Sequence, residues 1–309
     1  MRVLVVGLGI QGRKRLAVAG PDAVGSVDPV AVTATWRDVR EVPLEAYDAA
    51  LVCTPDGPKV ELLTYLLGHG KHVLVEKPLI AASGAELEGL KALAAQHRAV
   101  CYTAYNHRFE PHLATVKQLV DEGRIGRVYH CRMFYGNGTA RDVRNSVWRD
   151  RGLGVIPDLA SHMLDLCLFF FGRPEGEPEV WMAQRYENQA YDHFLMGFPK
   201  SRPALKLEGT LLSWRNTFGL DLIGDAGSIH VTGLCKWGPS SLVVRGRALP
   251  SGKPDEEVHT LEQKDPTWEI EYRHFLELCR EGGTNIDNDL WINDVLGTLG
   301  TRLGVEMLA

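Results

Sequence analysis

The first third of the chain alternates short apolar runs with stretches of helical periodicity. Strands are predicted over "VLVV" (3–6), Ala23 to Val27, "VAVTATW" (30–36), "DAALVC" (48–53), "KHVLVE" (71–76) and "AVCYTA" (99–104). Helices are predicted between them. Ile10 to Ala19 ends at Gly20-Pro21, and Ala85 to His97 precedes the last strand. In "KVELLTYLLGHG" (59–70), Val60, Leu63, Leu66 and Leu67 fall on one face, and Gly68 and Gly70 stop the helix. Strand and helix alternating at this spacing predict a parallel, doubly wound sheet.

The pattern changes after a helix over Val116 to Glu122. "VYHCRMFYG", "EVWMAQRY", "DHFLMGF", "ALKLEGTLLSW", "FGLDLIG", "GSIHVTG" and "SLVVRG" read as strands separated by turn residues. One helix, Pro157 to Phe171, interrupts them early. This is the pattern of an α+β domain on a large, mostly antiparallel open sheet. The boundary is placed at Gly123, giving domains 1–123 and 124–309. Pro250 to Glu257 reads as an exposed loop, and helices over Trp268 to Arg280 and Leu290 to Leu308 close the chain.

Composition narrows the class. The chain has 309 residues with a net charge of -5 and no basic block, so neither nucleic acid nor an anionic membrane is an expected partner. Six scattered cysteines form no C-x-x-C pair and read as reduced core residues rather than disulfides or a metal cluster. The longest apolar run, Leu166 to Phe171, is too short to span a bilayer, and an apolar strand begins at once, leaving no room for a signal peptide. A cytoplasmic enzyme with no metal is the expectation.

The chemistry gathers at predicted strand ends. Gly7, Gly9 and Gly12 have G-x-G-x-x-G spacing after the first strand and at the start of a helix. That is the spacing of a dinucleotide-binding turn, whose helix N-terminus faces the pyrophosphate. Arg13, Lys14 and Arg15 in that helix face either phosphate or solvent, and solvent is the favoured reading for each. Asp28 follows Gly7 by 21 residues, where an acid accepts hydrogen bonds from an adenosine ribose and favours NAD over NADP. The competing reading makes Asp28 a turn residue before Pro29. Thr54, Glu76, Lys77 and Asn106 also lie at strand ends, where ligands bind in such sheets. Lys77 is either a group that stabilises negative charge on a substrate oxygen or a solvated lysine. In "GVIPDLASHMLDL" (154–166), Asp158, His162 and Asp165 share a helix face. His162 is accordingly a core histidine, a metal ligand or a general base oriented by a carboxylate.

The ordered set "GLGIQG", "CTPDGPKVELLTYLLGHGKHVLVEKPL", "AYNHRFEP", "EGRIGRV" and "GLGVIPDLASHMLDL" resembles the Gfo/Idh/MocA family of glucose–fructose oxidoreductase, inositol 2-dehydrogenase and their relatives. The resemblance implies an NAD-dependent oxidoreductase, with NADP also possible. Its Rossmann domain precedes an α+β domain whose sheet forms a homodimer or homotetramer interface. The expected reaction interconverts a secondary hydroxyl and a ketone on a sugar, nucleotide sugar or cyclitol by hydride transfer. Carried onto this chain, the resemblance makes Lys77, Asp158 and His162 catalytic, with Asp165 in support and a cis Lys77–Pro78 peptide. His162 takes the hydroxyl proton, Lys77 hydrogen-bonds its oxygen, and Glu76 touches the nicotinamide ribose. The expected cofactor-binding set is Gly7, Gly9, Ile10, Gln11, Gly12, Asp28, Cys53, Thr54, Pro55, Glu76, Lys77 and Asn106. Asn106, Arg108, Arg141 and Trp148 are candidate substrate contacts, with Arg141 or Arg149 able to meet a carboxylate or phosphate. Two other functions remain open at this point: a redox-assisted glycosidase that keeps its NAD, and a non-catalytic dinucleotide sensor.

Overall fold

The computed structural model describes residues 1–146 and 149–305. In chain order the first sheet is built from β1 (Val3–Val6), α1 (Ile10–Ala19), β2 (Ala23–Val27), β3 (Ala49–Val52), α2 (Lys59–Gly68), β4 (His72–Glu76), α3 (Gly84–His97) and β5 (Cys101–Ala104). The strands pair in parallel in the order β2-β1-β3-β4-β5. Successive side chains of a strand point to opposite faces, so two apolar layers form. Leu4, Val6, Ala50, Val52, Val73 and Val75 pack against Leu63, Leu66 and Leu67 of α2 and Leu87 and Leu90 of α3. Val3, Val5, Leu51 and Leu74 pack on the opposite side with Leu16 of α1.

The run "VAVTATW" is not a strand. Val30 and Val32 are 82% and 88% exposed, and the segment reaches the sheet through a single bridge between Val27 and Trp36. Asp28 accepts the amides of Val30 and Ala31 and folds the chain into a turn there.

The second sheet follows α4 (Pro111–Asp121). It contains β6 (Val128–Gly136), β7 (Glu179–Gln184), β8 (His193–Phe198), β9 (Ala204–Thr210), β10 (Thr217–Gly224), β11 (Gly227–Thr232), β12 (Ser240–Gly246) and β13 (Glu256–Leu261). α5 (Ala140–Arg144), a π-helical turn over Ile156–Ala160 and α6 (Ser161–Phe171) separate β6 from β7. The order is β13-β12-β11-β10-β6-β9-β8-β7, antiparallel except for β6 beside β9. β13 overlaps the last two residues of the loop read over Pro250 to Glu257 and continues through a stretch that carries no strand signal. It is an edge strand, "EEVHTL", exposed over five of its six residues, so it carries no burial pattern.

α7 (Thr267–Glu281) and α8 (Ile286–Leu303) end the described chain. Two compact units result. Among the described residues the first is 1–106 with 267–294, and the second is 107–266 with 295–305. The division therefore falls at Asn106 rather than at Gly123, and it is discontinuous. α4 packs against α6 and β11 of the second unit. α7 packs against α1, and its Tyr272 and Phe275 complete the layer over Val3, Val5 and Leu51. An apolar face of a parallel sheet needs such a cover, wherever in the chain it comes from.

Candidate active site

In the first unit the chain leaves β1 and turns at Gly7, where φ is +90°. A Cβ on Gly7 would lie 2.8 Å from the carbonyl oxygen of Cys53, and one on Gly12 would lie 1.7 Å from the carbonyl oxygen of Gly7. These two glycines lock β1, β3 and α1 together. Gly9 does something else: a Cβ there would meet nothing within 4 Å. It caps α1, and Ile10 and Gln11 stand exposed beside it. The helix start thus presents amides and a partial positive charge over open space. Nearby, at the end of β3, the buried hydroxyl of Thr54 has no hydrogen-bond partner among the described residues. An uncapped helix start, an open glycine and an unused hydroxyl fit the phosphates of a dinucleotide.

Asp28 is bound to that turn. Its Oδ2 accepts the Leu8 amide at 2.7 Å, and its Oδ1 accepts those of Val30 and Ala31 at 2.9 and 2.7 Å. Burial works to raise its pKa, but the bonds from Ala31, Leu8 and Val30, with the charge of Arg37, bring it below the ordinary value. The turn-residue reading therefore describes these bonds. With about four lone-pair sites on a carboxylate, roughly one is left for a ribose hydroxyl.

Arg15 does not face solvent. It is 1% exposed, donates to Glu76 Oε1 and Glu271 Oε2 at 2.6 Å each, and lies over the Trp268 ring at 4.3 Å. Burial opposes its charge, yet Glu76 and Glu271 together push its pKa up. Glu76 is thereby fixed at the end of β4 by a buried guanidinium. The next residues, Lys77 and Pro78, are joined by a cis peptide. Lys77 itself is half-buried.

Lys59 went unnoticed in the sequence. It is 2% exposed, and its ammonium donates to Asp56 Oδ1 at 2.7 Å and to the carbonyls of Glu76 and Pro78 at 2.7 and 2.8 Å. All three ammonium hydrogens are used, and two of them hold the carbonyls on either side of Lys77. A lysine at the start of an apolar helix was the only signal. The remaining candidates here have structural partners or open surroundings. Asn106 is buried and donates to Thr267 Oγ1, Cys53 has a thiol whose pKa burial and then Glu76 push up, and Pro55 is exposed.

In the second unit the π-helical turn Ile156–Ala160 leads directly into α6. Asp158 sits in the turn with its side chain 41% exposed, 3.7 Å from Arg149. His162 lies one turn on and is 7% exposed. Its ring stacks on that of His107 at 4.0 Å and 17°, with Tyr135 beside both. Tyr135 is itself buried, and burial and then the Asp158 charge push its pKa up. Asp165 faces elsewhere: it is 1% exposed and takes a bidentate pair from Arg108 at 2.7 and 2.6 Å. Arg108 is thus a structural partner of α6 and not an open substrate contact. Arg141 is exposed on α5. Trp148 lies outside the described residues.

Comparison with known proteins bears on both units. A family model described as "Oxidoreductase family, NAD-binding Rossmann fold" matches residues 23–105, and one described as "GFO/IDH/MocA C-terminal domain" matches 113–230. The chain belongs to the Gfo/Idh/MocA family. It is 30% identical over 152 residues to a scyllo-inositol 2-dehydrogenase (NADP(+)) of Bacillus subtilis, covering 48% of this chain and 42% of that one. It is 30% identical over 162 residues to a levoglucosan dehydrogenase of Pseudarthrobacter phenanthrenivorans, covering 50% and 40%. The chain thus spans less than half the length of these two curated relatives. Among solved structures, a levoglucosan dehydrogenase in complex with NADH superposes with a TM-score of 0.82 over 98% of this chain and 97% of that one, at 18% identity. That likeness establishes the shared fold.

Within this Gfo/Idh/MocA chain the NAD-binding Rossmann fold is the first unit, and the eight-stranded sheet with α6 is the second. Gly9, the start of α1 and Thr54 are the features left open for a cofactor. Asp28 holds the Leu8 amide of the glycine turn, Arg15 the Glu76 side chain, and Lys59 the carbonyls on either side of Lys77.

Proposed function

We propose that the protein is an NAD(P)-dependent oxidoreductase that interconverts a secondary hydroxyl and a ketone on a sugar, nucleotide sugar or cyclitol. The observation that carries this reading is the division of roles on the helix around His162. Asp165 is tied to Arg108 in the interior, while Asp158, one turn before His162, is 41% exposed and lies 3.7 Å from Arg149, and His162 stacks on the ring of His107. The relatives named as inositol and levoglucosan dehydrogenases support a polyhydroxylated ring as the substrate class.

A nicotinamide cofactor bound here would supply the acceptor for the hydride that leaves the substrate carbon. The start of α1, with Gly9 and Thr54, binds the phosphates, and Asp28 uses its remaining lone pair on the adenosine ribose. His162 takes the substrate hydroxyl proton as general base. Lys77 hydrogen-bonds the same oxygen and stabilises negative charge on it, and Lys59 keeps the Lys77 backbone in place. Asp158 orients substrate or His162. Asn106 and Glu76 act through the backbone and side chains they hold. Arg141 and Trp148 are proposed as substrate contacts, and Lys206, Glu208, Asp221 and His230 mark a second-sheet face through which a homodimer or homotetramer forms.

The test is a screen of sugars, nucleotide sugars and cyclitols, following absorbance of the reduced cofactor with NAD and NADP in parallel. Turnover of a ring hydroxyl that falls at least ~100-fold in both Lys77→Ala and His162→Ala supports the assignment. Near wild-type turnover in either variant removes that residue from its role.

A further inference from the structure

The stacked pair of imidazoles in the second unit raises a question of proton placement. His107 and His162 lie face to face at 4.0 Å, and both are buried. Two protonated rings cannot share such a stack, so a base at His162 needs His107 to stay neutral. The structure contains a group suited to this. Lys236 lies on the short turn Cys235–Trp237, with its ammonium 3.4 Å from His107 Nε2 and 5.0 Å from the Trp237 ring. An ammonium has only hydrogens to give, so the ring nitrogen must supply a lone pair. As a hydrogen bond, this contact requires a neutral His107 imidazole with its proton on Nδ1.

The arrangement is anchored. Glu110, three residues after His107, accepts the Cys235 amide at 3.2 Å through Oε1 and the Leu113 amide through Oε2. The turn that carries Lys236 is thereby fastened to the segment that carries His107. Phe218 meets the edge of the His107 ring, and Tyr135 packs against both imidazoles and Trp237.

We infer that Lys236 is a positioning residue for His162: by donating to Nε2 of His107 it holds that ring neutral, so that of the two stacked imidazoles His162 is the one that takes a proton. The inference deepens the proposed function and rests on His162 acting as the base. The other charged and titratable groups of this unit around the pair are Asp158 and Tyr135 near His162, Arg149 beside Asp158, Glu110 and Asp265 near Cys235, and the Arg108–Asp165 pair.

The test needs no substrate. Histidine side-chain NMR on the full chain, labelled with 15N and 13C at histidine, reads tautomer and titration ring by ring. His107 and His162 are assigned from single His→Gln variants. In the wild type and in Lys236→Arg, His107 keeps its proton on Nδ1 and shows no titration between about pH 5.5 and 8.5, while His162 titrates as a single site. In Lys236→Met, His107 gains a titration step in that range, and the two rings titrate as a coupled pair. Circular dichroism checks that Lys236→Met is folded, and Lys236→Gln replaces it if it is not. A His107 that titrates alike with and without Lys236, or is silent in both, overturns the inference. A His162→Ala enzyme that keeps full turnover instead overturns the role of His162 as base, and the NMR result distinguishes the two failures.

Discussion

The ammonium of Lys59 donates to the carbonyl of Pro78 at 2.8 Å and so holds the residue just past Lys77. Its bond to Glu76 holds the residue just before. Lys59→Met leaves two carbonyls and Asp56 without this donor in a buried place. The expected cost is about 2–3 kcal/mol of stability, read from urea unfolding. It is also expected to lower kcat with little change in cofactor affinity, because the Lys77 backbone loosens. A variant as stable as the wild type would show that the clamp is replaced by water.

The glycines of the first turn separate packing from binding. Gly9→Ala adds a Cβ to open space at an ordinary φ of -63°, so the melting temperature is expected to hold. NADH affinity is expected to fall at least ~10-fold, because the methyl stands where the pyrophosphate approaches. Gly12→Ala places its Cβ against the Gly7 backbone and is expected to destabilise the fold itself. Fluorescence titration with NADH and thermal melts check both. Equal NADH affinity in Gly9→Ala would place the pyrophosphate elsewhere.

Arg108 and Asp165 form a bidentate pair with the carboxylate 1% exposed. Arg108→Ala strands a buried charge and is expected to cost about 3–5 kcal/mol in chemical denaturation. Arg108→Ala with Asp165→Leu is expected to regain part of that loss. Stability unaffected by the single change would mean that Asp165 finds another partner.

Asp28 has a pKa below the ordinary 3.8, so its contribution to stability is present in full above about pH 4 and is lost as pH falls through the folded value. Asp28→Asn removes this titration. The stability gap between wild type and variant is expected to be constant above about pH 4 and to narrow below it. Removing the charge is also expected to shift cofactor preference toward NADP by about tenfold, read from parallel NADH and NADPH titrations. An unchanged ratio would mean that the ribose is read elsewhere.

Much of this was legible in the chain itself. The parallel sheet follows from short apolar runs between periodic helices, and seven of the eight strands of the second sheet stand out as strand-like runs separated by turn residues. The G-x-G-x-x-G spacing marks the turn because φ at Gly7 and the contact at Gly12 each require glycine, wherever the rest of the chain goes. What misled were residues whose local pattern was overruled by distant ones. "VAVTATW" has the composition of a strand, but Asp28 bends it away. Arg15 sits in a run of three cations that reads as solvated, yet Glu76 and Glu271, one of them 256 residues away, draw it into the interior.

Local periodicity and motif spacing depend on neighbours in the chain, so the two sheets, the family and the residue types available for chemistry can be read without a fold. The tertiary structure decided which of those residues are left open. It assigned Arg108 to Asp165, Lys59 to the backbone around Lys77, and Lys236 to His107. It also drew α7 back over the first sheet, moving the boundary to Asn106. The physical reason is the same in each case. Burying a charge or an apolar face requires a partner, and proximity in the folded chain, not order in the sequence, supplies it.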